Sequence, residues 1–157
     1  MNVKWSIRYA GSKSSNSIIV DEAEKLNPNG VIPITDIKGW YNKESFLEGL
    51  QISYGGKNSG PKKAVKDHVK TVPVQLILHH GERITHITGM CDDFIEQVTF
   101  HTNLGQNCQI GISTKGLPFE LKVPEKVVGQ IIFGYIQNVG ICMIGGHFID
   151  PKVLGNV

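Results

Sequence analysis

Five lysines lie in one fourteen-residue segment, 57–70, which carries the densest positive charge in the sequence. Asp67 is the only acid among them, so the local formal charge is +4, and His68 adds a further base. Closely spaced ammonium groups bind sulfate, phosphate or carboxylate through charge-assisted hydrogen bonds. The segment is therefore a candidate anion patch, although a solvated charged loop would have the same composition. The five lysines are Lys57, Lys62, Lys63, Lys66 and Lys70.

Three cysteines and six histidines are the other residues that could do chemistry. Cys91, Cys108 and Cys142 cannot all pair with one another, so we expect free thiols that are buried as small apolar side chains. A thiol nucleophile needs an activating histidine beside it, and no sequence motif indicates one. The histidines also lack a ligand spacing such as His-x-x-x-His. We therefore expect no enzyme, no metal site and no cofactor.

The size and charge of the chain exclude several classes of protein. With 157 residues, 40% of them hydrophobic, and a formal net charge of +2, the chain has the size of one globular domain, 1–157. The low net charge, with no aromatic platform recognised beside the lysines, argues against nucleic-acid binding. The most apolar stretch, 127–136, is too short and too interrupted for a membrane span. Lys4, Arg8 and Lys13 stand where a secretory signal would need apolar residues, so we expect no signal peptide in this chain.

Period-two alternation of apolar residues dominates the sequence and predicts β-strands. Glycine and asparagine turn signals separate the alternating runs. This pattern favours an all-β sandwich, barrel or prism, in which the 18 glycines are expected at strand ends. Only 21–26 and 64–70 have any helical character, and neither is assigned firmly. The expected strands are 5–9, 32–41, 46–54, 72–78, 82–88, 94–100, 119–123, 130–137 and 141–149.

Five short passages follow one another in an order that is found in a known family. The central passage, 78–89, contains a Leu-x-x-Gly-Glu turn followed by Ile-Thr-x-Ile-x-Gly, and 98–105 ends in Phe-x-Thr-Asn-x-Gly. The passages at 33–37, 49–55 and 144–149 also fit. Together they resemble the jacalin-related lectins, most closely their animal branch, the secreted zymogen-granule lectins.

The resemblance implies a fold, a function and a location. The fold is an all-β prism of type I, with three four-stranded antiparallel sheets around one core. The function is non-enzymatic binding of glycans, sulfated ones included, or of a protein partner, and a homo-oligomer is compatible with it. Secretion is implied, with a cytoplasmic location as the alternative.

In this family, three loops at one end of the prism hold the sugar. The first is rich in glycine, yet here Asn16 and Ser17 stand where paired glycines are expected, and close approach of the backbone to a ligand becomes harder. The middle loop contributes Asp92 and Asp93, which could supply a substitute carboxylate or form a solvated turn.

The last loop should read Gly-x-x-x-Asp, and it corresponds here to Asn138, Val139, Gly140, Ile141 and Cys142. Both signature residues are therefore absent. A thiol cannot replace a carboxylate that accepts charge-assisted hydrogen bonds worth roughly 1.5–3 kcal/mol each. The sequence thus predicts a lectin-like domain with a degenerate sugar pocket that recognises anionic glycans or a protein. The alternative is a mannose-type lectin with a rearranged site.

Overall fold

The computed structural model describes residues 6–12 and 16–154, and most of these residues lie in strands. One helical turn, α1 (Ala23–Leu26), follows the second strand, and a short 3₁₀ helix, Pro151–Val153, follows the last one. The strands are β1 (Ser6–Gly11), β2 (Ser17–Val20), β3 (Ile34–Asn42), β4 (Leu47–Tyr54), β5 (Lys62–Lys63), β6 (Thr71–Ile77), β7 (Ile84–Cys91), β8 (Ile95–Thr102), β9 (Asn107–Ile110), β10 (Leu117–Leu121), β11 (Val127–Ile136) and β12 (Gly140–Ile149).

The strands form three four-stranded antiparallel sheets, as the β-prism prediction requires. The first sheet has the order β1-β12-β11-β2, the second β5-β4-β3-β6, and the third β10-β7-β8-β9. Each sheet turns one face to a common core, because alternate residues along its longer strands are apolar. The predicted fold class is therefore confirmed.

Large side chains from all three sheets meet in this core. Phe133 and Phe148 come from the first sheet, Leu50 from the second and Phe100 from the third, and all four are fully buried. Tyr54 carries a hydroxyl into the same core, where it accepts a hydrogen bond of 3.0 Å from the backbone N–H of a β11 residue. Burial raises the pKa of the Tyr54 phenol well above its ordinary value, so this hydroxyl stays neutral and bonded.

The structure adds strands that the sequence did not predict and removes one helix candidate. β2, β5 and β9 have four residues or fewer, and such short runs show no clear alternation. Segment 21–26 forms only the single turn of α1. Segment 64–70 forms no helix and consists of bends and turns. Residue 5, the predicted start of the first strand, lies outside the described residues.

The glycines divide into two groups, and the expectation that they mark strand ends is correct for only one. Nine described glycines have positive φ, and most of these lie in turns. Others lie inside strands, where a Cβ would collide with a neighbour. A Cβ on Gly39 would lie 2.5 Å from the Cδ1 atom of Ile110, and one on Gly140 would lie 2.4 Å from the ring of Phe46. Gly39 thus lets β3 pack closely against β9 of another sheet, and Gly140, at the start of β12, leaves room for a ring from the turn between β3 and β4.

A buried carboxylate, Glu82, ties two turns of the prism together. One of its oxygens accepts the backbone N–H of His79 at 2.9 Å and the side-chain amide of Gln106 at 2.8 Å. The other oxygen accepts the hydroxyl of Thr102. Burial alone would raise the pKa of the Glu82 carboxyl, but these donors outweigh it and hold the pKa below its ordinary value of 4.5.

We predict that Glu82→Gln lowers the free energy of unfolding at pH 7 by about 2 kcal/mol, because an amide cannot accept from all of these donors. For a domain of this size the melting temperature should fall by about 6 °C. Thermal unfolding followed by circular dichroism measures the change. The matched control is Glu120→Gln, at an exposed position of β10, which should leave the melting temperature unchanged.

The same carboxylate should also appear in the pH dependence of stability. Its folded pKa is lower than its unfolded pKa, so its contribution is present above pH 4.5 and is lost as the pH falls through the folded value. The difference between wild type and Glu82→Gln should therefore shrink in acid. A difference that stays constant from pH 7 to pH 3 would contradict this role.

Candidate functional site

The turn between β11 and β12 keeps the backbone shape that a glycine would give it. Asn138 has φ of 67°, a left-handed conformation that asparagine tolerates better than most residues. Its backbone N–H donates to the carbonyl of Ala64 at 2.8 Å. Asn138 thus adopts the left-handed conformation at the position where the resemblance expects a glycine.

Cys142 occupies the position at which the resemblance expects an aspartate. The side chain is 3% exposed and lies where β12 bulges against Gly134. The carbonyl of Cys142 accepts the backbone N–H of Ser12 at 3.1 Å, so the residue that follows β1 is still hydrogen-bonded to β12. Burial raises the pKa of the Cys142 thiol. A buried neutral thiol therefore stands where the resemblance expects a carboxylate.

A stacked pair of phenylalanines connects the last loop to the middle loop. The ring of Phe46 packs on Gly140, and its centroid lies 4.7 Å from that of Phe94, with 18° between the ring planes. Sequence reasoning missed this pair because the two residues belong to different turns. Beside the rings is a depression of about 300 Å³. Its remaining lining residues are Glu44, Ser45, Asp92, Asp93, Glu96, Ser113 and Lys115.

The sequence-predicted sugar loops therefore do meet at one end of the prism. Ser17 begins β2 and pairs with Ile136 at the end of β11, next to the exposed Asn16. Asp92 and Asp93 are exposed in the turn between β7 and β8. The end of the prism near Asp92 and Asp93 is therefore acidic. It also contains the buried Glu96, whose carboxylate accepts a hydrogen bond of 2.7 Å from the hydroxyl of Ser113.

The five lysines form a strip along the second sheet rather than a single cluster. Lys57 lies beyond the end of β4, where its backbone pairs with that of Tyr54. Lys62 and Lys63 form the edge strand β5 beside the middle of β4. Lys70 lies near the start of β4, where its carbonyl accepts the backbone N–H of Lys43. Eight residues of β4 at about 3.3 Å each make this strip about 25 Å long.

Carboxylates accompany three of these lysines. The ammonium of Lys62 lies 4.0 Å from a carboxylate oxygen of Glu22. The ammonium of Lys70 lies 2.6 Å from a carboxylate oxygen of Glu44, and this contact lowers the pKa of the Glu44 carboxyl. Lys63 pairs with Asp67. Neither Lys57 nor Lys66 has a carboxylate within 4.0 Å among residues 6–12 and 16–154, and both are exposed.

A neighbouring histidine and carboxylate connect the strip to the sheet. Glu48 is buried in β4 and accepts hydrogen bonds from His68 at 2.7 Å and from the hydroxyl of Thr71 at 2.8 Å. The segment after β5 is thereby held against β4. The anion patch is thus an ordered surface, although its charge is lower than the sequence count implies.

An aromatic residue also lies beside the lysines, which corrects the sequence expectation. The ammonium of Lys63 lies 4.9 Å from the ring centroid of Trp40. Trp40 belongs to β3 and is more than twenty residues from Lys63 in the sequence, so no local pattern could reveal the contact.

Comparison with known proteins decides the family of this chain. The family model of the jacalin-like lectin domain matches residues 11–142. The chain belongs to the jacalin-like lectin domain family. This is a family of carbohydrate-binding, non-enzymatic proteins. No curated protein sequence is significantly similar to the chain.

Solved structures with the same fold include animal and plant lectins. A prostate-specific WGA16 glycoprotein lectin is 24% identical, with 90% of this chain and 98% of that one covered and a TM-score of 0.68. Single-chain recombinant jacalin is 18% identical, with 93% and 95% covered and a TM-score of 0.68. A mannose-specific jacalin-related lectin from Morus nigra, in complex with mannose, is 15% identical, with 95% and 96% covered and a TM-score of 0.67. At these identities the likeness concerns the fold.

The three cysteines of this jacalin-like domain are free thiols, as expected, but only Cys142 is buried, whereas Cys91 and Cys108 are half-buried. Desolvation raises the pKa of all three thiols, so they stay protonated at neutral pH. In the described ranges, no three His, Cys, Asp or Glu residues are grouped so as to hold a metal ion. The described helices are too short to cross a membrane.

We predict that the left-handed turn at Asn138 tolerates glycine and rejects a β-branched residue. Asn138→Gly should leave the free energy of unfolding nearly unchanged, whereas Asn138→Val should lower it by about 1–2 kcal/mol. Urea unfolding of the two variants measures the difference.

The Asn138→Gly variant should also not bind mannose, because position 142 still holds a thiol and not a carboxylate. Mannose binding by Asn138→Gly would contradict the role we assign to Cys142.

Proposed function

We propose that this jacalin-like domain binds linear anionic glycans, with sulfated chains as the typical ligand, along the basic strip. The observation that carries the proposal is the course of the lysines over about 25 Å of the second sheet, from Lys57 past the edge strand β5 to Lys70 at the turn between β3 and β4. A sulfated chain presents fixed charges in a row, and each sulfate can accept charge-assisted hydrogen bonds from an ammonium group. The strip and such a chain are therefore complementary in both shape and charge.

The carboxylates along the strip do not prevent this binding. Pairs between exposed lysines and acids contribute about 0–1 kcal/mol each, and Lys70 and Glu44 are both largely exposed. A sulfate group that approaches such a lysine replaces a weak partner. Lys57 and Lys66 provide charge without this exchange. Lys57 lies beyond the end of β4, and Lys66 belongs to the segment that Ala64 and His68 hold against Glu48 near the start of β4.

The standard sugar pocket is degenerate in this proposal. The buried thiol of Cys142 provides neither the carboxylate nor an accessible surface, and the backbone N–H of Ser12 is already bonded to the carbonyl of Cys142.

We also propose that the chain belongs to the animal zymogen-granule branch of the family and that the protein is secreted. The passages at 78–89 and 98–105 support that placement.

A second candidate function rests on the Phe46–Phe94 pair. Aromatic rings next to carboxylates are suited to a neutral sugar, since the rings contact C–H groups and the carboxylates of Asp92 and Asp93 can accept hydrogen bonds from hydroxyl groups. The depression there is acidic, so it would repel a sulfated chain. The charge of the preferred ligand therefore distinguishes the two candidates.

We predict that Lys57→Gln/Lys66→Gln weakens binding of a heparin-derived hexasaccharide about tenfold at low salt, through the loss of two cationic contacts. Calorimetric titration measures the affinity, and added salt should reduce it further. The control is Lys122→Gln/Lys152→Gln, which removes the same charge from exposed positions outside the strip.

Equal loss in both double variants would show that binding depends on net charge rather than on the strip, and would sink the proposal. Neutral mannose oligosaccharides should not bind. If they bind instead, and Asp92→Asn/Asp93→Asn abolishes that binding while the lysine variants leave it intact, the second candidate function replaces the first.

We further predict that Glu44→Gln strengthens binding of the same hexasaccharide about twofold to threefold, because Lys70 then loses its competing carboxylate. This result distinguishes a binding role of the lysine from a purely structural one, since removal of an ion pair would not otherwise improve function. Weaker binding by Glu44→Gln would contradict the assignment of Lys70 to the strip.

A further inference from the structure

The outer face of the second sheet carries a groove that no sequence motif indicated. Its volume is about 360 Å³, and it lies between β3 and the edge strand β6. Lys38 pairs with Gln75, and Trp40 pairs with Pro73. These four side chains therefore occupy adjacent positions of one sheet face, two from each strand. The backbone of Gly39 and Val74 completes the lining.

The groove is continuous with the basic strip through Trp40. In β4, which lies between β3 and β5, Gly49 pairs with Trp40 on one side and with Lys63 on the other. A Cβ on Gly49 would lie 2.6 Å from the Cγ atom of Lys63, so the absence of a side chain lets the lysine cross toward the indole. The ammonium of Lys63 consequently lies 4.9 Å from the ring centroid.

We propose that this groove is a second carbohydrate subsite, which holds one pyranose ring of the anionic glycan against the indole of Trp40. The inference rests on the proposed function, because it extends the same bound chain sideways from the strip. In this arrangement the indole and Pro73 contact the C–H face of the sugar. The amide of Gln75 bonds hydroxyl groups, and Lys38 binds a sulfate or carboxylate of that ring.

The chemistry of the groove favours an anionic sugar over other occupants. An indole provides a large apolar surface with an N–H donor at its edge, and a primary amide both donates and accepts, as a ring bearing hydroxyls requires. Lys38 is exposed and lies on the same face. The groove is thus lined by one cation, Lys38, and by the ring of Trp40, over which the ammonium of Lys63 lies while it also pairs with Asp67. Asp36 is the nearest acid along β3 on this face, and it pairs with Ile77 beyond the groove.

The two tryptophans of the chain allow a direct test by NMR. The indole N–H signals of the ¹⁵N-labelled protein are assigned with Trp40→Phe, and the hexasaccharide is then added. We expect the Trp40 signal to shift in a saturable manner. Lys38→Gln and Gln75→Ala should each weaken binding about threefold, and Trp40→Phe about fivefold, in calorimetric titrations. Lys122→Gln is the control for Lys38→Gln and should bind like the wild type.

The outcomes separate this subsite from the proposed function. The hexasaccharide could bind in a manner that requires Lys57 and Lys66, while the Trp40 signal does not shift and Lys38→Gln binds like the wild type. In that case the subsite is wrong and the proposed function stands. If the wild type binds no sulfated chain, both are overturned. Since Lys38 and Gln75 are surface residues, their variants test the subsite even if Trp40→Phe is poorly folded.

Discussion

Three sheets share one apolar core, and this constraint determines where the molecule can bind a ligand. Inward side chains such as Phe100 and Phe148 fill the space between the sheets, so no ligand can enter there. Close approach between sheets requires glycine inside strands, as where Gly39 accommodates Ile110. The binding surfaces that remain are the loops at one end, the outer faces and the edge strands. Each proposed site lies on one of these surfaces.

At the loop end, the backbone conformation and the side-chain chemistry of a position can vary independently. Asn138 has the left-handed conformation that a glycine would also adopt, whereas the position at which the resemblance expects a carboxylate holds the buried thiol of Cys142. The carbonyl of Ala64 accepts the N–H of Asn138, so this turn contacts the segment that follows β5. In our proposal the basic strip binds anionic chains, and the acidic depression near Phe46 is suited to a neutral ligand instead.

The sequence predicted the long strands and the family because alternation and turn motifs are local signals. It did not predict β5, because two residues cannot show a period, although Lys62 and Lys63 form the edge of the second sheet. It also overstated the charge of the lysine segment. The partner acids Glu22 and Glu44 come from other parts of the chain, and their pairing exists only once the sheets assemble. The contact between Trp40 and Lys63 has the same origin.

Mapping of backbone amide shifts locates a bound glycan without any substitution. A ¹⁵N-labelled sample is titrated with a heparin-derived hexasaccharide and, separately, with a mannose oligosaccharide. We expect saturable shifts at 57–70 with the sulfated chain, and no shifts at 138–142 with mannose. Saturable shifts at 138–142 with mannose, and none at 57–70 with the sulfated chain, would contradict this expectation.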